Sequence, residues 1–140
     1  MIILDTNVIS ALMRVEPELS VIEWLDGQPS SSIWITAVTV MEIHFGLQTM
    51  PLGRRRQGFT KSFEQLLQSE IEGRIAPFDT DAARHAADLM AVRKRNGRPG
   101  EVRDTMIAGI ALARHATLAT RNSSYFADLS VPVVNPWVRS

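Results

Sequence analysis

The sequence predicts an α/β fold with a central, mainly parallel sheet and helices on both faces. Three observations predict it: short apolar runs alternate with helix-period segments of about 10–20 residues, two of those helices follow capping runs at Asp5-Thr6-Asn7 and Asp79-Thr80-Asp81, and there is no cysteine to build a disulfide-held alternative. The 140 residues, 45% hydrophobic and 21% charged, suit one domain over 1–140 that buries most of its surface.

The elements follow in order. Met1 to Leu4 is an apolar run ended by Asp5-Thr6-Asn7, a buried strand leading into a helix cap. Val8 to Met13 and Leu19 to Leu25 then read as short helices, the second with an apolar face of Val21, Ile22, Trp24 and Leu25, before the breakers Gly27 and Pro29. Ser32 to Thr36 is β-rich, and Thr39 to Gln48 places Val40, Met41, Ile43 and Leu47 at helical spacing. After Pro51-Leu52-Gly53, one helix is expected from Arg54 to Glu72 on a stripe of Phe59, Phe63, Leu66 and Leu67. Arg74 to Phe78 is a strand, Asp79-Thr80-Asp81 caps a helix from Ala82 to Arg95, and Asn96 to Gly100 is a loop. Glu101 to His115 returns to helix, and Thr117–Thr120 and Val131–Val134 are two late strands.

Charge is balanced overall, with 15 basic and 15 acidic residues, so no global basic field marks a polyanion binder. The distribution is uneven. Residues 1–50 sum to −5 and residues 51–100 to +4, and thirteen of the basic residues are arginine, whose planar fork suits phosphate. No apolar stretch approaches the roughly 20 residues of a membrane-spanning helix. The apolar start is cut at Asp5 before a signal-peptide core forms, so a cytoplasmic location is expected.

Three carboxylates sit where ionised groups are costly. Asp5 ends a buried strand, Glu42 interrupts an apolar helix, and Asp104 opens a helix that continues Met106-Ile107-Ala108-Gly109-Ile110-Ala111. A buried carboxylate costs several kcal/mol unless it meets a cation, a donor or a metal. Singly, each has a plain reading: Asp5 as an N-cap, Glu42 as a solvated helix position, Asp104 as a complement to the helix dipole. Jointly they form an oxygen-only set of the kind Mg²⁺ or Mn²⁺ takes, able to activate water against a phosphodiester. Haloacid-dehalogenase phosphatases place a second aspartate two residues after the nucleophile; here that position is Asn7, which counts against an Asp5-dependent phosphatase. His44, His85 and His115 have no ligand spacing and receive no catalytic role. Trp24 and Trp34 lie in apolar patterns, which leaves Trp137 near the exposed end as the one candidate to stack a base, and it is expected chiefly to pack the carboxyl end.

Four blocks then carry a resemblance: Met1-Ile2-Ile3-Leu4-Asp5-Thr6-Asn7, Thr36 through Glu42 to Gly46, Asp104 to Ala111, and Thr120-Arg121-Asn122. In this order the chain resembles the PIN-domain ribonucleases, and among them the VapC and FitB-like toxins of bacterial toxin-antitoxin pairs; the closing Asn135-Pro136-Trp137 is similar to that branch. The resemblance covers essentially the whole chain. It implies a three-layer α/β/α sandwich and a Mg²⁺- or Mn²⁺-dependent endoribonuclease acting on RNA, with transfer RNA a frequent target of relatives. It further implies metal ligands at Asp5, Glu42 and Asp104, orientation of the site by Thr6 and Asn7, support from Thr120, a small antitoxin partner, and homodimerisation. One departure stands out, because many relatives carry an aspartate at or just after the position of Asn122. Asn122 offers a neutral oxygen and no charge, so one well-held ion is expected, and an inactive binding or assembly module is the competing reading. Arg121, Arg98 and Arg95 are expected to meet RNA, together with the clusters Arg54-Arg55-Arg56 and Arg93-Lys94-Arg95.

Overall fold

The structure is a computed structural model, and it describes residues 1–138. Five short strands run in the order β3-β2-β1-β4-β5. They are β1 (Ile2–Leu4), β2 (Ile33–Thr36), β3 (Ile75–Ala76), β4 (Thr117–Ala119) and β5 (Val133–Val134), and every pairing is parallel. β1 lies at the centre, with Ile3 opposite both Trp34 of β2 and Leu118 of β4. The chain builds outward through β2 and β3 on one side and later returns to the other side through β4. The sheet therefore reverses direction between β1 and β4, where the carboxyl ends of two neighbouring strands open a crevice.

Pleating sends alternate residues to opposite faces. Ile3 and Leu118 join a core with Leu89, Ile107, Ile110 and Phe126, under α5 (Thr80–Arg95) and α6 (Val102–Ala113). Leu4 and Ala119 join the other core with Val8, Ile9, Val21, Ile35, Phe63 and Ile71. That face is covered by α1 (Thr6–Leu12), α2 (Leu19–Asp26) and α4 (Arg54–Gln65). Between them α3 (Ala37–Thr49) gives Val38 to the first core and Ile43 and Leu47 to the second. This is the three-layer α/β/α arrangement that the alternation of strands and helices predicts.

Boundaries differ where caps decide them. The Thr36 hydroxyl accepts the Thr39 amide at 3.1 Å, so α3 starts before the expected Thr39. Asp79 accepts from the Ala82 amide at 3.0 Å and starts α5 at Thr80. The single helix expected from Arg54 to Glu72 is α-helical only to Gln65; Leu66–Ile71 is a π-helical turn. Left-handed backbone at Glu72 (φ 50°) and Gly73 (φ 78°) then closes it. β3 is shorter than the predicted strand, and just before it the Arg74 guanidinium donates to the carbonyls of Ile33, Ser30 and Glu70, tying the end of the π turn to β2.

α5 and α6 cross at Gly109. A Cβ there would lie 2.5 Å from the Ala82 carbonyl oxygen and 2.8 Å from the Ala86 Cβ, and neither neighbour can swing aside. Gly109→Ala is therefore expected to destabilise the fold by about 1–3 kcal/mol in denaturant titration, despite the better helix propensity of alanine. An unchanged midpoint would show that the crossing is looser than this geometry.

Candidate active site

Asp5 follows β1, and its amide donates to the Ala119 carbonyl of β4 at 2.9 Å, which pins it to the crevice between the two strands. Its carboxylate is used twice. Oδ1 accepts the Thr6 amide at 2.8 Å and caps α1, and Oδ2 accepts the Thr120 hydroxyl at 2.8 Å. The side chain is both the cap and a site residue, so the two readings of the sequence coexist. Burial raises its pKa above the ordinary aspartate value, the bonds from Thr120 and Thr6 oppose the rise, and the Glu42 charge adds to it.

Glu42 reaches the same cleft from α3. Its Oε1 accepts the Thr6 hydroxyl at 2.9 Å, while its Oε2 lies 3.8 Å from the Arg103 guanidinium. Because Thr6 gives its one hydroxyl proton to Glu42, the Thr39 hydroxyl at 2.9 Å must donate to Thr6, and Thr36 donates to Thr39 at 3.4 Å. Thr36 and Thr39 are fully buried, so a directed chain of three hydroxyls fixes this glutamate.

Asp104 enters from the first turn of α6. Its amide donates to the Glu101 carboxylate at 3.0 Å, the cap that starts the helix. The Asp104 carboxyl is pushed up to about 6, first by burial and then by the charges of Asp5, Glu101 and Glu42; only Arg103 opposes the shift. A carboxyl raised by burial and by the acids around it marks a site suited to receive positive charge.

The remaining predicted residues close the wall. The Thr120 hydroxyl is fully buried beneath Asp5 and accepts the Asn122 amide at 3.0 Å and the Asn7 amide group at 3.4 Å. Asn7 accepts the Arg121 amide at 3.3 Å. Asp5, Thr6, Asn7, Glu42, Asp104, Arg121 and Asn122 line one cleft, with Ser10, Arg14 and Trp137 completing it. Arg95 and Arg98 are not in that lining: Arg95 is exposed at the end of α5, and Arg98 borders a separate hollow with Tyr125 and Asp128. Arg93, expected in a polyanion-facing cluster, is instead buried. It donates to both oxygens of Asp128 at 2.9 and 3.0 Å and lies over the Tyr125 ring, so it serves the interior.

Trp137, Arg14 and Arg103 were not singled out as residues near the carboxylates. The signal for Arg103 is its place beside Asp104; for Trp137 it is the Asn135-Pro136-Trp137 block, which carries no sign of which wall it meets.

The comparisons with known proteins agree with this geometry. The PIN domain family matches residues 2–131. The chain is 42% identical over 137 residues to the VapC ribonuclease Y4jK of Sinorhizobium fredii, covering 98% of each chain. It is 34% identical over 137 residues to the toxin FitB of Neisseria gonorrhoeae, covering 98% of this chain and 99% of that one. The crystal structure of FitAcB from Neisseria gonorrhoeae superposes with a TM-score of 0.86 at 34% identity, over 99% of this chain and 100% of that chain. A fold with its acidic cleft at the switch of a parallel sheet, matched along nearly its whole length, thus places the protein: it belongs to the PIN domain family, in the group of the VapC and FitB proteins.

Proposed function

We propose that the chain is a Mg²⁺- or Mn²⁺-dependent endoribonuclease, the toxin of a toxin-antitoxin pair, that hydrolyses RNA phosphodiester bonds in the cytoplasm. The observation that carries this reading is the meeting of Asp5, Glu42 and Asp104, from three separate elements, in one cleft where burial and then the neighbouring acids raise the Asp104 pKa to about 6. The donor chemistry fits a hard divalent cation, since every candidate ligand is oxygen. Among the described residues no group of three or more Asp, Glu, His or Cys side chains is already placed to hold an ion together. An ion of this kind keeps several waters, through which carboxylates can act as well as by direct contact.

Asp5, Asp104 and Glu42 would hold the ion. When bound, it supplies water activation and neutralises charge on the scissile phosphate. Thr120 and Thr6 fix the aim of Asp5 and Glu42, so these carboxylates pay little reorganisation on loading. Asn122 adds a neutral oxygen at the wall, consistent with one well-held ion. Arg14 and Arg121 are the cations of the lining; Arg14 would hold a phosphate beside the cut, and Arg121 would meet the RNA next to it. Arg95 and Arg98 would meet RNA farther from the scissile bond. Both Asp5 oxygens are engaged by hydrogen bonds, an arrangement that supports a ligand over a covalent nucleophile.

The antitoxin fits an apolar trough beside the cleft, lined by Met13, Ile43, Leu47, Met50 and Phe59 and bordered by Glu42 and Arg103. A homodimer carrying such a partner belongs to the same reading. The test is incubation of the purified, antitoxin-free chain with total RNA and with transfer RNA in Mg²⁺, Mn²⁺ or EDTA. Discrete fragments that need the metal are expected. An intact fold that cuts nothing under any of the three conditions would leave the protein as a binding module and make Asn122 the reason.

A further inference from the structure

Arg121 stands in a cleft with three carboxylates, yet among the described residues it pairs with none of them. Its guanidinium carbon lies instead over the Trp137 ring, 5.2 Å from the centroid. The backbone enforces this. The Arg121 amide donates to Asn7, the Asn135 side-chain amide donates to the Arg121 carbonyl at 3.3 Å, and the Trp137 amide donates to the Asn135 side-chain oxygen at 2.9 Å. A closed circuit therefore joins Arg121, Asn135 and Trp137, with the cation–π contact as its last link.

Trp137 is expensive where it is. Its indole N–H is buried without an acceptor, a penalty that phenylalanine would avoid. The ring also packs on the second core, which holds it still. What the site gains from the indole is thus its broad face, and that face carries Arg121. The neighbouring residues set the distance to the chemistry: Thr120 donates to Asp5, and Asn122 donates to Thr120. Arg121 lies between them.

We infer that Trp137 holds the Arg121 guanidinium as a stacking platform for one unpaired base of the nucleotide next to the scissile phosphate. This rests on the ribonuclease reading and deepens it by naming a substrate feature. A base inside a duplex has both faces covered, whereas a splayed base can stack on a guanidinium plane. The substrate is accordingly single-stranded at the cut, and Trp137 is a positioning residue that acts through Arg121.

The test is a cycle between protein and RNA. An oligoribonucleotide bearing the mapped cleavage site is compared with versions lacking the base on either side of the cut, using the wild-type chain, Trp137→Leu and Arg121→Leu in Mg²⁺ or Mn²⁺. At one flank the abasic substrate should cost the wild type about tenfold in kcat/KM, mostly in KM. Each variant should lose about the same on the intact substrate and nothing more on the abasic one. Losses that multiply, or no abasic effect at either flank, overturn the platform while leaving the ribonuclease reading intact. Trp137→Phe guards against a folding artefact: it should melt no lower than the wild type yet bind the intact substrate several-fold more weakly. If the wild type cuts no RNA, the ribonuclease reading falls and the platform is judged by tryptophan fluorescence with a single-stranded oligoribonucleotide in Ca²⁺. Quenching seen in the wild type and lost in Trp137→Phe supports it; equal quenching in both overturns it.

Discussion

Asp104→Asn will abolish cleavage and yet raise the stability of the metal-free protein. The loss of activity should be about 10³-fold or more, as should that of Asp5→Asn, because on the proposed reading each change removes a charge that would hold the divalent cation. The gain in stability follows from the titration. In the fold the Asp104 carboxyl sits at about 6, well above the ordinary value of 3.8, through burial and the charges of Asp5, Glu101 and Glu42. The folded chain therefore binds more protons than the unfolded one between those values, and stability falls as pH rises through that window. Above it the ionised group costs the fold about 1–2 kcal/mol once solvent screening is allowed for. Asparagine carries no such charge. In EDTA at neutral pH the variant should melt about 3–6 °C above the wild type, and the gap should close near pH 4, where the wild-type carboxyl is protonated. Added Mn²⁺ should raise the wild type far more than the variant. A variant that melts below the wild type in EDTA would show that the acidic cluster is not under strain.

The interior pair of Arg93 and Asp128 should give the largest structural effect outside the site. The Arg93 side chain is 5% exposed, and Asp128 is 43% exposed, so the two partners are not equivalent. Arg93 holds the Asp128 carboxyl below its usual range through their hydrogen bonds, and Asp128 raises Arg93 in turn. Removing Asp128 strands a buried cation with only the Tyr125 carbonyl, hydroxyl and ring; removing Arg93 leaves a carboxylate that water can reach. Asp128→Ala is expected to cost about 2–4 kcal/mol in denaturant titration. The double variant Arg93→Met/Asp128→Ala should recover about 1 kcal/mol or more relative to Asp128→Ala alone. The pair also bears on the site. The Tyr125 hydroxyl accepts the Glu101 amide at 2.9 Å, and Glu101 caps the helix that presents Asp104. Additive losses in the double variant would mean that the cation is not stranded.

Arg93 shows where a sequence stops being legible. Arg93-Lys94-Arg95 reads as a basic run at a helix end, and side-chain type alone does not separate its members. The helical register turns Arg93 inward to Asp128, 35 residues later, and leaves Arg95 in solvent. The π turn at Leu66–Ile71 was hidden for a similar reason: its residues are ordinary helix formers, and the closure depends on where Arg74 finds its carbonyls. Trp137 belongs to an identifiable block, but its contact with Arg121 depends on β5 pairing with β4.

By itself the sequence determined the alternation of strands and helices, the caps at Asp5 and Asp79, and the three carboxylates that an apolar setting makes costly. Each of these is a matter of neighbours within about four residues, where period, capping and burial cost act. Only the tertiary structure decided that residues 5, 42, 104, 121 and 137 share one cleft. The reason is the strand order: β1 pairs with both β2 and β4, and the reversal between them opens one crevice into which distant elements must point.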